Sequence, residues 1–210
     1  MKRILWIVLT IVVIAGSYYL LRRYRDNLPI PDNAVTFEFP LKNGDFIIMN
    51  SGEAYDIHTL PVEKYALDIT KQGNDINVFK SAKSNLEDDP SYGISVYSPC
   101  YGNIKNVKDE IKDQPFGLRD RSAGGGNSII IGCDDFDVYM AHLKSGTLLV
   151  KEGDIVNTGQ EIAKVGNSGN TTGPHLHLMA YKWNEDNTEQ IPFPMLFNGK
   201  VLYRWDIFKN

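Results

Sequence analysis

A chain of 210 residues with 42% hydrophobic and 11% aromatic residues can build a packed core, which excludes wholesale disorder. Net charge is -4 although basic residues flank the N-terminal segment, so the rest of the chain is more acidic still and lacks the footprint of a nucleic-acid binder. With the first thirty or so residues set aside, about 180 remain, the size of one domain.

Residues 4–21 are an apolar run, ILWIVLTIVVIAGSYYLL, between Lys2 and Arg3 on one side and Arg22, Arg23 and Arg25 on the other. That length crosses a bilayer. A cleaved signal peptide is the competing reading, but its apolar region is usually shorter and ends in a small-x-small site, which Ala15-Gly16-Ser17 only faintly suggests. The expectation is an uncleaved single-pass anchor over residues 1–21. Basic residues on both flanks leave its orientation undecided. Residues 22–33, RRYRDNLPIPDN, are polar with two prolines and predict a linker, which leaves 34–210 as the folded domain.

From there the pattern turns strand-like. Residues 35–39, 46–49, 128–132 and 138–142 are short β-branched or aromatic runs punctuated by Gly, Asn, Asp and Pro, and no long helical period appears. Residues 109–127, with a glycine triplet and many charges, predict a loop between two strands. Residues 150–169 space glycines at 153, 159, 166 and 169 between short apolar pairs, which predicts tight turns between short strands. Such spacing specifies shape and not chemistry, since biotin-carrier and lipoyl domains share it. No lysine flanked by methionines stands at a hairpin tip to make this a carrier domain. The last thirty residues, rich in Trp, Phe and Pro, are expected to close the fold. Cys100 and Cys133 lack any structural-zinc spacing, and a disulfide and two buried thiols both remain open.

The chain has four histidines, His58, His142, His175 and His177. In the segment GPHLHLMAY, residues 173–181, His175 and His177 alternate with leucines, so on a strand both imidazoles line one wall. An HxH pair alone is weak evidence, because an edge strand with two surface histidines looks the same. The Gly- and Asn-rich stretch NSGNTTGP that leads into it is the kind of irregular backbone on which sites are built. His142 ends an apolar strand, where the bland expectation is a satisfied, partly buried histidine.

Five blocks in order resemble the lysostaphin-type zinc metallopeptidases, which hydrolyse peptide bonds in peptidoglycan. They are KYALDI (64–69), SPCYGNI (98–104), YMAHLKSG (139–146), VKEGDIVNTGQEIAKVGNSG (150–169) and TTGPHLHL (171–178). The resemblance implies a mainly β, compact, antiparallel and sandwich-like domain of duplicated-hybrid-motif type behind one N-terminal transmembrane helix. It makes Asp68 and His177 zinc ligands, with His142 and His175 as uncoordinated catalytic histidines. It further implies a zinc metalloendopeptidase acting on peptidoglycan peptides, single-pass in the cell membrane with its catalytic domain on the extracytoplasmic side. Nucleic acid is not an expected partner, and oligomeric state is left open.

One position departs from the family. A histidine usually stands four residues before the aspartate, and here that place holds Lys64. Were 64, 66 and 68 on one strand they would share a face, and the Lys64 ammonium would oppose a nearby dication. Two outcomes follow. Either His58 reaches through the turn at Thr59-Leu60-Pro61 to complete the zinc site with Lys64 turned outward, or Lys64 pairs with Asp68 and the domain is an inactive member that binds cell wall or activates a partner hydrolase. The first is favoured, because it gives every histidine a role.

Overall fold

The computed structural model describes residues 2–52, 58–73 and 85–210. The chain divides into two compact units, Met1–Asp32 and Asn33–Asn210.

The first unit is one helix, α1, Lys2–Asp26. Within it Trp6–Arg25 is long and apolar enough to cross a membrane, with a mean hydropathy of 1.4. Helix therefore continues through Arg22–Asp26, where the polar composition suggested linker. Nothing between Gly16 and Pro29 breaks the helix, and arginine, leucine and tyrosine are all accepted in it. It ends where the Asn27 side chain donates back to the Arg23 carbonyl at 2.6 Å.

The second unit is mainly β, as its short, turn-bounded apolar runs predict. Its strands are β1 (Val35–Thr36), β2 (Asp45–Ser51), β3 (Leu67–Lys71), β4 (Ser95–Tyr97), β5 (Gly102–Lys108), β6 (Asn127–Cys133) and β7 (Phe136–Leu143). They continue as β8 (Ile155–Val156), β9 (Glu161–Lys164), β10 (Leu176–Trp183), β11 (Gln190–Phe193), β12 (Met195–Phe197), β13 (Lys200–Val201) and β14 (Ile207–Lys209). A nine-stranded antiparallel sheet runs β14-β2-β3-β10-β7-β6-β5-β8, with β11 also paired to β10. Small sheets β1-β12-β13 and β4-β9 complete the unit. The first strand is shorter than its aromatic pattern suggested: Phe37 and Phe39 lie beyond β1 but are buried, Phe39 stacking on Phe208 at 4.0 Å.

Alternation then sorts the large sheet into two faces. Phe46, Ile48, Leu67, Ile69, Ile129, Ile131, Val138, Met140, Leu176 and Leu178 belong to one buried core. Each such side chain contributes roughly 1.5–3 kcal/mol by leaving water. The intervening residues Asp68, Tyr139, Ala141 and His177 take the opposite face, with His177 paired in register to both Asp68 and Ala141. The core on one face thus fixes the register that assembles polar groups on the other.

Cys100, just before β5, and Cys133, at the end of β6, form a disulfide with Cα atoms 6.0 Å apart. This resolves the choice that the sequence left open.

Candidate metal centre

The segment before β3 is a 3-10 helix, Pro61–Tyr65, and not the start of the strand. Pro61 presets its first turn, and the Glu63 carboxylate accepts the Leu60 N–H at 2.9 Å. The expectation that residues 64, 66 and 68 share a strand face is therefore corrected. Lys64 is exposed, its ammonium 5.5 Å from the centre of its neighbour's ring at Tyr65, whereas Asp68 is buried among imidazoles.

One oxygen of Asp68 is the focus. Its Oδ1 lies 3.0 Å from His177 Nδ1, 3.2 Å from His58 Nε2 and 3.5 Å from His175 Nε2. Oδ2 accepts from the Asn50 amide at 2.9 Å. His58, Asp68 and His177 are all buried and offer donor atoms within 4.8 Å of one another, an arrangement that fits a metal ion. His142 also reaches this place, with its ring 4.7 Å from that of His175 and 5.9 Å from that of His177. All five residues singled out in the sequence thus converge. His175 lies one residue ahead of β10, and it reaches Asp68 from there.

The backbone decides which ring nitrogens are available. His58 Nδ1 is 2.9 Å from the Gly52 carbonyl, His142 Nδ1 is 2.8 Å from that of Ser168, and His175 Nδ1 is 2.9 Å from that of Gly173. A carbonyl oxygen only accepts, so each of these Nδ1 atoms carries a proton and Nε2 is left as the working nitrogen. In His58 and His175 it faces Asp68 Oδ1, where it carries a second proton or gives its lone pair to a cation. Such support is what fixes the tautomer of metal-ligating and catalytic histidines.

His142 is held hardest. Its φ of 59° is left-handed, a conformation that costs a non-glycine residue on the order of 1 kcal/mol or more. Its N–H donates to the Gly125 carbonyl and its own carbonyl accepts from Gly166, both at 2.9 Å. Ser168, fully buried, uses its hydroxyl to accept from Asn127 N–H at 2.9 Å and donate to the Leu143 carbonyl at 2.8 Å. Gly126, at φ 66°, packs so closely on the Ser168 backbone that a Cβ there would overlap it. The glycine triplet therefore seats the loop that orients His142. Thr171 Oγ1, 3.2 Å from His175 Nδ1 and 2.8 Å from the Gly173 carbonyl, braces the second histidine in the same way. The sequence reading named neither Ser168, Thr171 nor Asn50; the Gly- and Asn-rich loop was the signal for the first two.

Charge follows the geometry. Burial works against ionisation of Asp68, but His175, His177 and His58 outweigh it and hold its carboxyl well below the usual range. Burial also works against protonating His58 and His175, yet Asp68 raises both above the ordinary histidine value. His142 goes the other way, pushed down to about 3 by burial and by the neighbouring His175 and His177. Without a cation, one carboxylate shares its charge with the histidines around it. Two imidazoles and a carboxylate, all buried, with His58 Nδ1 held by the Gly52 carbonyl and Asp68 Oδ2 by Asn50, are a donor set suited to a borderline divalent ion such as zinc.

Residues 89–191 match peptidase family M23. That span contains His142, His175 and His177 and lies downstream of His58 and Asp68. Among solved structures, the chain is similar to pseudoalterin, an M23 metalloprotease from the deep sea, at 15% identity and a TM-score of 0.52, over 84% of this chain and 99% of that one. The catalytic domain of lysostaphin from Staphylococcus simulans matches at 19% identity and 0.44, over 70% and 86%. Helicobacter pylori Csd3 matches at 20% identity and 0.45, over 76% of this chain, and the match spans only 32% of the Csd3 chain.

Proposed function

We propose, from the match of residues 89–191 to peptidase family M23, that this chain is a zinc-dependent endopeptidase cutting peptide cross-links in bacterial cell-wall peptidoglycan. The observation that carries the proposal is the convergence of three donors, His58, Asp68 and His177, beside two further histidines, His175 with its Nε2 3.5 Å from Asp68 Oδ1 and His142 with its ring 4.7 Å from that of His175. His58, Asp68 and His177 would hold the ion. A zinc ion with three protein ligands and an open position supplies Lewis acidity toward a peptide carbonyl and lowers the pKa of water.

The chain's own residues divide the proton work. His142, neutral and with Nδ1 committed to Ser168, has only its Nε2 lone pair to use, and accepts the proton of the attacking water. His175, whose affinity for a proton is raised by Asp68, donates from Nε2 to the developing oxyanion or the leaving amine. Both rings are held at Nδ1 before substrate arrives, so little reorganisation remains for the reaction.

Helix α1 is the proposed membrane anchor, with residues 33–210 on the extracytoplasmic side where cell-wall peptides lie. The Cys100–Cys133 disulfide supports that side, since such bonds persist in oxidising compartments. The alternative of an inactive, wall-binding member rested on Lys64 pairing with Asp68, and Lys64 is exposed on the 3-10 helix.

The test is release of soluble peptides from purified peptidoglycan by the full-length protein in detergent. Activity abolished by chelation and recovered on adding zinc supports the proposal. A zinc-loaded protein that releases nothing from any peptidoglycan type refutes it.

A further inference from the structure

The two oxygens of Asp68 are not equivalent. Three imidazoles converge on Oδ1, while Oδ2 meets the side-chain amide of Asn50 at 2.9 Å. Only the N–H₂ end of that amide can face a carboxylate, so Asn50 donates. It reaches this place through an irregularity in β2. The strand pairs with β3 as Phe46↔Lys71, Ile47↔Thr70 and Ile48↔Ile69, and a regular ladder would next set Met49 against Asp68. A bulge after Ile48 inserts one residue, so that Asn50 stands opposite Asp68 and Ser51 opposite Leu67.

The parity shift is the informative part. Phe46 and Ile48 point into the core, and without the bulge Asn50 would follow them there. With it, Asn50 joins Asp68 on the opposite face. The bulge is fastened from outside: Arg204 Nε donates to the carbonyl of the inserted Met49 at 3.0 Å, and Arg204 N–H donates to Ser51 Oγ at 2.8 Å.

We infer that Asn50 is a positioning residue for the metal centre, occupying Asp68 Oδ2 so that the carboxylate offers a ligand through Oδ1 alone. This rests on the proposal that His58, Asp68 and His177 hold the ion. Without the amide, Oδ2 is free to swing in, and the carboxylate can bind through both oxygens or rotate away from His58 and His177. Residues that orient a ligating carboxylate tune affinity without touching the ion.

The experiment compares the full-length protein with Asn50→Leu, Asn50→Asp and Asn50→Gln. Zinc affinity is read by competition with a chromophoric chelator, the visible absorption of the cobalt-loaded protein reads the ligand field, and thermal unfolding of the metal-free forms reads folding. Asn50→Leu is expected to weaken zinc binding by roughly 10- to 100-fold and to change the cobalt bands at saturating metal. Asn50→Gln, which keeps an amide donor, should recover part of the affinity. Should Asn50→Leu fail to fold, Asn50→Asp removes the N–H at constant shape and should also change the cobalt bands. Wild-type affinity and spectrum in a folded variant that has lost the N–H would overturn the inference while leaving the metal centre in place. A wild-type protein that binds neither metal would overturn both.

Discussion

His142 makes the stability of the metal-stripped protein depend on pH in a window of its own. The unfolded chain takes up this proton near 6.5 and the folded one only near 3, because the ring is buried beside His175 and His177. Between those values the unfolded state binds the extra proton, so stability falls as pH falls. The slope is about 1.4 kcal/mol per pH unit, or about 3 kcal/mol between roughly pH 6.5 and pH 4. The other shifted site groups act elsewhere. His58 and His175 have raised values, so their contribution is complete below 6.5 and is lost only as pH rises through the folded value. Asp68 is lowered, so its contribution stands above 3.8 and is lost as pH falls through its own depressed value. Urea unfolding of the chelated protein, followed by fluorescence of Trp183 and Trp205, measures the slope, and His142→Gln should remove about one proton's worth of it. Equal slopes for wild type and His142→Gln across the window would refute the reasoning, since the ring would then titrate alike in both states.

Two further substitutions probe the scaffold. Gly126→Ala combines a left-handed φ of 66° with a Cβ overlapping the Ser168 backbone, so it should cost more than about 2 kcal/mol in urea unfolding and sharply reduce peptide release, because the Ser168 carbonyl holds His142. Replacing Cys100 and Cys133 by serine opens a loop of sequence separation 33 and should lower stability by about 3–4 kcal/mol. Adding reductant to the wild type should reproduce that loss, and an unchanged unfolding midpoint in both cases would contradict it.

Much of this was legible before any coordinates. The strands that carry the core announced themselves through apolar runs, and residues 128–132 and 138–142 fall inside β6 and β7. Alternation in the HLH segment put His177 on the face opposite its leucines, and β10 carries it there. What failed was local geometry that alternation does not encode. Treating Lys64 as a strand residue overlooked Pro61 and Glu63, which together start a 3-10 turn. Asn50 was invisible because a bulge reverses its parity, and a bulge is set by pairing with β3 and by Arg204, remote in sequence. The Gly- and Asn-rich composition marked the loop that carries Ser168 and Thr171, but which of its residues act was hidden, because that depends on the loop closing against the glycine triplet and on His175.

The central claim is that His58 completes the metal site in place of a ligand at position 64. Zinc stoichiometry and affinity of the full-length protein, set beside His58→Ala and Lys64→Ala, test it most directly. One zinc per chain in the wild type and in Lys64→Ala, with occupancy lost or strongly weakened in His58→Ala, is the predicted result. Full occupancy in His58→Ala, or loss of zinc on removing the exposed Lys64 side chain, would contradict the account.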